Sequence, residues 1–399
     1  MKTSIAVWPT WLALCMGAAQ AAQPPAVLGT MGDGGLAVVL PQPDVGLPAP
    51  VQIAGSGFGP AVRAHGVDFL RVGEVLVADF TLPQLTRLRL GSATAVGSLT
   101  LTTRTSANGT LAVSPNGNFA LSFGETSAGA AESAVVDGFG SGAIRVQAGA
   151  PNLRVRNFVT AAIDFDAAGR AFVCHTTGVA ALDPPYTNVA FGVTLPASTS
   201  TSVCRLSRDG QRLFVTRAGA GIGVVTAPFS ASSVPVSIAA PAGSGGLGPI
   251  GVSPDGDAVL IGQVFRFSGQ STAQARLFLL RAPYTTVATM QELALPAAIT
   301  GSTCTPGPGG TDTLCRGFED ISISPDGELA IVTGNSARGI ATETGRAPLL
   351  VIEHPFDDAA RVMHAVTIGT PGTADEGRGT GGVRIEKADL RIFADGFEQ

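Results

Sequence analysis

Four charged residues could form a polar site at one end of a repeated fold. His65, Arg316, Glu319 and Asp320 combine a proton-transfer group, a cation and two carboxylates. This composition suits general acid/base chemistry or the binding of a polar ligand. The repeat described below places all four close to the beginning of equivalent strands. We therefore expect them to converge, and the competing interpretation is a solvated rim of ordinary surface charges.

Four cysteines outside the N-terminal segment form the second group with chemical potential. Cys304 and Cys315 flank a proline- and glycine-rich stretch that cannot build its own secondary structure, so a disulfide between them would stabilise an insertion. Cys174 and Cys204 then remain as the second pair. A tetrahedral zinc site is the alternative, but the four spacings contain no C-x-x-C pair. The sequence favours two disulfides.

Other catalytic and cofactor motifs are absent from the sequence or incomplete. No H-E-x-x-H metal motif and no G-x-S-x-G nucleophile elbow is present. Asp164 and Asp166 alternate as in a calcium loop, although the further oxygen ligands and the distal glutamate of such a loop are missing. No cofactor is predicted, and a bound calcium ion is left open.

The composition indicates a globular β-protein outside the nucleic-acid-binding classes. Hydrophobic residues make up 45% of the 399 residues and charged residues 14%, while 52 glycines and 27 prolines supply turns. The net charge of −5 becomes one unit more negative when Lys2 is removed with the N-terminal segment. An acidic chain without a basic patch is a poor candidate for nucleic-acid binding.

The first 22 residues have the pattern of an export signal. Lys2 precedes an apolar stretch and the small-residue sequence Ala19-Gln20-Ala21-Ala22. Residues 1–22 are therefore assigned to a signal peptide, and the mature protein is expected to be secreted or periplasmic. No later stretch is long enough for a transmembrane span. Acylation at Cys15 is the alternative, but the preceding Leu14 is larger than the residue normally found there.

A turn motif repeats along the chain. Each copy separates two short apolar strands and ends in glycine, because proline sets φ at the first turn position, Asp or Asn bonds back to the backbone, and glycine adopts positive φ. The closing glycines are 44, 52, 41, 46 and 71 residues apart, and periods in the forties match four-stranded propeller blades. The copies end at Gly73, Gly117, Gly169, Gly210, Gly256 and Gly327.

A second landmark alternates with the turns. It consists of proline followed by an aromatic residue, and it lies between an apolar strand and an outer strand. The copies are Pro185-Tyr186, Pro228-Phe229, Pro283-Tyr284 and Pro355-Phe356.

Six blades follow from the two landmarks, and the chain ends could supply a seventh. In that arrangement Val383–Ile385 and Leu390–Phe393 form the inner strands, and Leu36–Leu40 and Val51–Ile53 form the outer strands. The prediction is a single all-β propeller of about seven blades over residues 23–393, closed by both ends, with a tail over 394–399.

The repeated Ser-Pro-Asp-Gly turn resembles that of a known superfamily. The segments 250–256 and 321–332 look like the seven-bladed propellers that include the YVTN-repeat surface proteins and the lactonase-like propellers. The resemblance covers roughly residues 60–335 and implies a fold, because enzymes and binding proteins share it.

The functional prediction is an extracytoplasmic propeller that binds a protein or small-molecule ligand, since no complete catalytic motif is present in the sequence. We expect a monomer without enzymatic activity. The alternative is a lactone or ester hydrolase that acts at the channel mouth through His65, Glu319 and Asp320. A structural surface protein is a third possibility.

Overall fold

The structure is a computed structural model that describes residues 26–30, 36–39, 51–53, 64–71, 73–79, 82–89, 94–104, 109–126, 128–139, 144–155, 161–195, 201–217, 221–244, 246–263, 266–267, 276–296, 305–306, 313–315, 317–335, 347–357, 362–368 and 380–385. The regular elements in this part of the chain are all β-strands, which confirms the predicted all-β class. No helix in these ranges is long and apolar enough to cross a membrane.

The strands of the first half are β1 (Ala26–Thr30), β2 (Leu36–Val39), β3 (Val51–Ile53), β4 (Ala64–Arg71), β5 (Glu74–Asp79), β6 (Gln84–Arg89), β7 (Thr94–Thr100), β8 (Gly109–Val113), β9 (Phe119–Glu125), β10 (Ala131–Asp137), β11 (Arg145–Val146), β12 (Ile163–Phe165), β13 (Ala171–His175), β14 (Gly178–Leu182) and β15 (Val189–Thr194). Those of the second half are β16 (Thr201–Leu206), β17 (Arg212–Arg217), β18 (Gly221–Thr226), β19 (Val236–Ile238), β20 (Leu247–Val252), β21 (Ala258–Gln263), β22 (Arg266–Phe267), β23 (Leu277–Arg281), β24 (Gln291–Glu292), β25 (Thr305–Pro306), β26 (Thr313–Cys315), β27 (Gly317–Ile323), β28 (Leu329–Asn335), β29 (Ala347–Glu353), β30 (Val362–Ile368) and β31 (Thr380–Ile385).

Consecutive strands form six four-stranded antiparallel blades in the described part of the chain. Blade 1 is β4–β7, blade 2 is β8–β11, blade 3 is β12–β15, blade 4 is β16–β19, blade 5 is β20, β21, β23 and β24, and blade 6 is β27–β30. The innermost strand of each blade packs against that of the next. The chain is therefore a β-propeller, as the repeat predicted, with six consecutive blades where about seven were expected.

Strands from the two chain ends form a further four-stranded sheet, here called the terminal sheet. Its order is β3-β2-β1-β31, and β31 packs between β27 of blade 6 and β4 of blade 1. The prediction that Leu390–Phe393 supplies its second strand is wrong. β1 occupies that place, because Val27 and Leu28 pair with Arg384 and Val383 while β1 also pairs with β2. Residues 390–393 lie outside the described ranges.

The middle strands are continuous apolar runs because neighbouring blades cover both of their faces. Every residue of β14 and of β21 is buried, whereas the outer strand β15 is largely exposed. The hydrophobic core therefore lies between the blades, and each blade needs its neighbours in order to bury its apolar side chains.

Both sequence landmarks have the structural role that their residue types predict. All six closing glycines adopt positive φ, between 67° and 86°. In the turn of blade 5, the Ser253 hydroxyl donates to Asp255 and accepts the Ala258 N–H. The two tyrosines of the second landmark bind the turns of their own blades. The Tyr186 hydroxyl donates to the Gly169 carbonyl at 2.6 Å, and the Tyr284 hydroxyl donates to the Gly256 carbonyl at 2.7 Å. Each proline of the second landmark follows a cis peptide bond.

A small three-stranded sheet lies outside the blades. β22 comes from an insertion between the second and third strands of blade 5, and β25 and β26 come from the connection to blade 6. Arg266 pairs with Cys315, two residues before β27 begins. Cys304 lies outside the described residues, so the Cys304–Cys315 disulfide stays a prediction.

The predicted disulfide between Cys174 and Cys204 is absent from the structure. Both residues are free and buried in the core between blades 3 and 4. The Cys204 thiol donates to the Ala162 carbonyl at 3.3 Å instead. Burial, together with the hydrogen bond that the Cys174 thiol donates to Cys204, raises the pKa of the Cys174 thiol well above its ordinary value. Cys174 is therefore an uncharged and unreactive core residue.

Candidate functional site

Charged side chains from five innermost strands form a network around the propeller axis. The channel cluster consists of Asp68 on β4, Asp164 on β12, Arg205 on β16, Asp320 on β27 and Arg384 on β31. It therefore draws on blades 1, 3, 4 and 6 and on the terminal sheet. Its members are far apart in the sequence, so only the closed ring brings them together.

Asp68 and Asp164 each join two blades through backbone hydrogen bonds. Asp68 accepts the N–H of Phe69 on its own strand at 2.9 Å and that of Val113 in blade 2 at 2.7 Å. Asp164 repeats this geometry with Phe165 at 2.9 Å and Leu206 in blade 4 at 2.8 Å. Hydrogen bonds to an ionised acceptor are roughly twice as strong as neutral ones. Each of these two carboxylates therefore holds two blades together.

Asp320 is the most heavily bonded member of the channel cluster. It accepts the N–H groups of Ile321 at 2.9 Å and of Val383 in the terminal sheet at 3.1 Å. Its other bonds are ion pairs with Arg205 at 3.1 Å and with Arg384 at 2.5 Å. The Asp320 side chain is fully buried. One carboxylate thus connects blade 4, blade 6 and the terminal sheet.

Arg384 is stabilised as a cation by all three aspartates. Burial by itself lowers the pKa of this guanidinium, but the charges of Asp320, Asp68 and Asp164 outweigh burial and raise it. The five members of the cluster carry three negative and two positive charges. The formal charges of the network therefore nearly cancel.

The two mouths of the channel differ. The start mouth is the end at which the innermost strands begin, and the turn mouth is the end that carries the glycine turns. Arg208, in the turn of blade 4, donates to the Pro325 carbonyl in the turn of blade 6 at 3.0 Å. This contact bridges the turn mouth. The three-stranded sheet of β22, β25 and β26 joins the start mouth, because β21 ends there and β27 begins there.

The predicted cluster at the start mouth is only partly described. Asp320 and Glu319 lie on β27, where both are buried, but Asp320 belongs to the inter-blade network. Arg316 lies outside the described residues. Only the backbone of His65 is described, on β4. The structure thus leaves the convergence of these four side chains untested.

The strand registers nevertheless make His65 and Glu319 equivalent. In blade 1 the pairing shifts between Ala64 and Gly66, and in blade 6 it shifts between Phe318 and Asp320. Each intervening residue therefore occupies a β-bulge close to the start mouth. The innermost strands of blades 4 and 5 have register shifts at the same end. Bulges are frequent beside functional sites because they redirect side chains.

The residues considered for calcium have other partners. Asp164 accepts the backbone N–H groups of Phe165 and Leu206. Asp166 accepts the Arg170 N–H at 2.8 Å within its turn. Among the residues that the structure describes, no group of three or more His, Cys, Asp or Glu is arranged to hold a metal ion.

Most of the channel cluster was not predicted from the sequence, although its members carry a positional signal. Asp68, Asp164 and Arg205 each lie five residues before the closing glycine of their blade. A charged residue at that fixed offset lies on the innermost strand of an otherwise apolar fold. Comparing the three copies at this position would have indicated the axis.

Comparisons with known proteins establish the fold. No protein-family model and no curated protein matches the chain. A solved structure from Lactobacillus plantarum has a TM-score of 0.60 and 12% identity, covering 92% of this chain and 100% of that one. A periplasmic gluconolactonase from Pseudomonas aeruginosa has a TM-score of 0.58 and 13% identity, covering 88% and 98%. A functionally unknown protein from Desulfotomaculum acetoxidans has a TM-score of 0.56 and 10% identity, covering 91% and 99%. At these identities the likeness shows that the chain is a β-propeller whose structural neighbours include a lactonase.

Proposed function

We propose that the protein is an extracytoplasmic β-propeller that binds a small molecule or a protein at the start mouth of its channel. The bulged innermost strands and the three-stranded sheet beside this mouth support the location, because the ring of blades requires neither. The Arg208 bridge across the turn mouth favours the same end. The channel cluster supplies a rigid floor beneath the site.

The observation that favours binding over catalysis is that the hydrogen-bond acceptor sites of Asp320 are all engaged. An ionised carboxylate has about four acceptor sites, and Asp320 receives two backbone N–H groups and two guanidinium groups. A general base must accept a proton from water or substrate. Asp320 has its lone pairs engaged by the ring, so it acts as a structural group in this proposal.

A lactone or ester hydrolase is the second candidate function. Glu319 lies one residue closer to the start mouth than Asp320, and His65 is its register equivalent in blade 1. A carboxylate and a histidine at one mouth would suffice for acid/base hydrolysis. The gluconolactonase neighbour makes a lactone the first substrate to test.

The test measures binding and turnover on the same preparations. Sugars, sugar acids and their lactones are screened by thermal shift, and lactone hydrolysis is followed by proton release. Glu319→Gln removes a charge at the start mouth. Glu292→Gln is the matched control. Glu292 lies on β24, the outer strand of blade 5, away from the channel, and pairs there with Arg276. We expect ligands that stabilise the wild type and the control but lose their effect on Glu319→Gln, without turnover.

Hydrolysis that Glu319→Gln abolishes would replace the binding proposal with the hydrolase. Ligands that stabilise both variants equally would show that the start mouth is not the binding site. Metal analysis of the purified protein tests the calcium alternative, since stoichiometric calcium would favour metal-assisted hydrolysis.

We further propose that the terminal sheet is a seventh blade and that the chain belongs with the YVTN-repeat and lactonase-like propellers. The position of β31 between β27 and β4 supports the blade count. Removal of β1 to β3 should then open the ring and abolish cooperative unfolding. A truncated chain that unfolds cooperatively with unchanged stability would contradict the proposal.

Residues 1–22 are proposed to direct export, residues 23–393 to form the propeller, and residues 394–399 to form a tail. The mature protein would then act as a monomer in the periplasm or medium. N-terminal sequencing of the exported protein should find cleavage after Ala21 or Ala22, and sedimentation should give the monomer mass. Retention of Met1 in the cytosol would contradict the localisation.

A further inference from the structure

Three arginines surround one carboxylate at the edge of blade 1. Glu74 begins β5 and accepts hydrogen bonds from Arg71 at 2.8 Å and from Arg87 at 2.7 Å. Arg89 reaches the other carboxylate oxygen at 3.4 Å. These four residues, here called the Glu74 cluster, lie on neighbouring strands of one blade, so the scaffold holds their backbones rigidly.

The Glu74 cluster differs from the other surface ion pairs in its charge balance. Three guanidinium groups against one carboxylate leave two positive charges uncompensated within the cluster. In the described part of the chain, three other surface arginines each make a close contact with a single carboxylate: Arg145–Asp137, Arg170–Asp183 and Arg276–Glu292. The surplus stands out on a chain whose net charge is −5.

Two of the three positive groups of the cluster are exposed to solvent, whereas its negative group is buried. The Glu74 side chain is 5% exposed, whereas those of Arg71 and Arg89 are 58% and 61% exposed. Burial opposes ionisation of Glu74, but hydrogen bonds from Arg71 and Arg87 hold its pKa below the ordinary value. The carboxylate therefore stays charged and orients the guanidinium groups from beneath.

Within the described residues, the contacts with Glu74 engage only some of the donors of the two exposed arginines. A guanidinium carries five N–H donors, and Arg71 uses two of its nitrogens on Glu74 while Arg89 uses one. The planar forks of arginine match the oxygens of phosphate-type anions in bidentate geometry. Arg71 and Arg89 contact Glu74 from the strands on either side of it, so their exposed side chains lie at the same end of blade 1.

We propose that the Glu74 cluster is a binding site for a small polyvalent oxyanion of the phosphate type. Arg71 and Arg89 contact the anion, and Arg87 contributes charge from beneath. The cluster lies at the turn-mouth end of blade 1, where β4 ends and β5 begins, so the proposal stands independently of the function proposed for the start mouth.

Calorimetric titration with inorganic pyrophosphate at low ionic strength tests the site. The double variant Arg71→Gln/Arg89→Gln removes both exposed guanidinium groups and is expected to weaken binding by about tenfold or more. Arg145→Gln is the matched control, because Arg145 is a 75% exposed arginine with a single carboxylate partner. Its affinity should stay within about twofold of the wild type, and wild-type affinity should fall as salt is added.

Two further measurements keep the test decisive. Circular dichroism and thermal unfolding verify that each variant is folded. Arg89→Gln alone, which removes the most weakly held arginine, should weaken binding by about fivefold if the double variant does not fold. Absence of saturable binding to the wild type would overturn the proposal, as would an equal loss of affinity in Arg145→Gln.

Discussion

Two carboxylates in this propeller are each surrounded by arginines, yet they have different structural roles. Asp320 is fully buried, and its partners Arg205 and Arg384 are 115 and 64 residues away in the sequence. Glu74 has partners within 15 residues, all on its own blade. Asp320 therefore joins separate parts of the ring, whereas Glu74 organises one exposed edge.

The difference shows how the same ion pair can serve the fold or leave charge for a ligand. At Asp320, two cations and two backbone N–H groups converge on one fully buried anion, and the two cations are themselves only 12% exposed. At Glu74, the surplus positive charge lies on the outside. Breaking a buried pair leaves an uncompensated buried charge, whereas breaking an exposed pair lets water replace the partner.

The largest expected effect comes from Asp320→Asn. The variant keeps the shape of the side chain but removes the charge that Arg205 and Arg384 share. Removing one partner of a buried ion pair costs about 3–5 kcal/mol, so the urea midpoint should fall sharply. Asp183→Asn is the control, because the Asp183 side chain is 49% exposed beside Arg170, and it should cost less than about 1 kcal/mol. Equal losses of unfolding free energy in the two variants would show that the buried and the exposed ion pairs contribute alike to stability.

A smaller loss is expected for Asp164→Asn. An amide has one oxygen, so either Phe165 or Leu206 loses an acceptor for its N–H group. The expected cost is about 1–3 kcal/mol, measured by urea unfolding. Asp166→Asn tests the specificity of this loss, since its amide oxygen can still accept the Arg170 N–H and the change should stay within about 0.5 kcal/mol. Matching values would mean that the inter-blade bond at Asp164 adds nothing.

The smallest effect, with a distinctive pH dependence, is expected for Glu74→Gln. The lowered pKa of Glu74 means that its ionised form stabilises the folded state at neutral pH, and that this contribution is lost as the pH falls below its ordinary value of 4.5. The variant should lose about 1 kcal/mol at pH 7, because two of the three arginine partners of Glu74 are largely exposed. Urea unfolding of both proteins from pH 7 to pH 3 should bring the curves together in acid. If the difference in unfolding free energy between the two proteins stayed constant or grew in acid, the stabilising role of ionised Glu74 would be contradicted.

The local features of the fold were predictable from sequence because they depend on short-range chemistry. The closing glycines follow from the need for positive φ in a tight turn, and the Pro-Tyr and Pro-Phe landmarks mark the passage to the outer strands. Both depend on residues a few positions apart. They defined the blades even where the turn was degenerate, as at Gly73 and Gly169.

The contacts across the ring were not predictable in the same way. Asp320 was placed at the start mouth as a possible catalytic group, but its partner Arg205 belongs to another blade and Val383 to the terminal sheet. No local periodicity links these positions. The pairing of β1 with β31 was missed for the same reason, because it joins residues some 350 positions apart.

The most direct test of the account is a double-mutant cycle between Asp320 and Arg384. Asp320→Asn, Arg384→Gln and the double variant are compared with the wild type by urea unfolding. If Asp320 binds the terminal sheet to the ring, the two losses should be strongly non-additive, with a coupling energy of about 2–3 kcal/mol. A coupling below about 0.5 kcal/mol, with additive losses, would show that the pair does not stabilise the closed ring and would contradict the structural role assigned to Asp320.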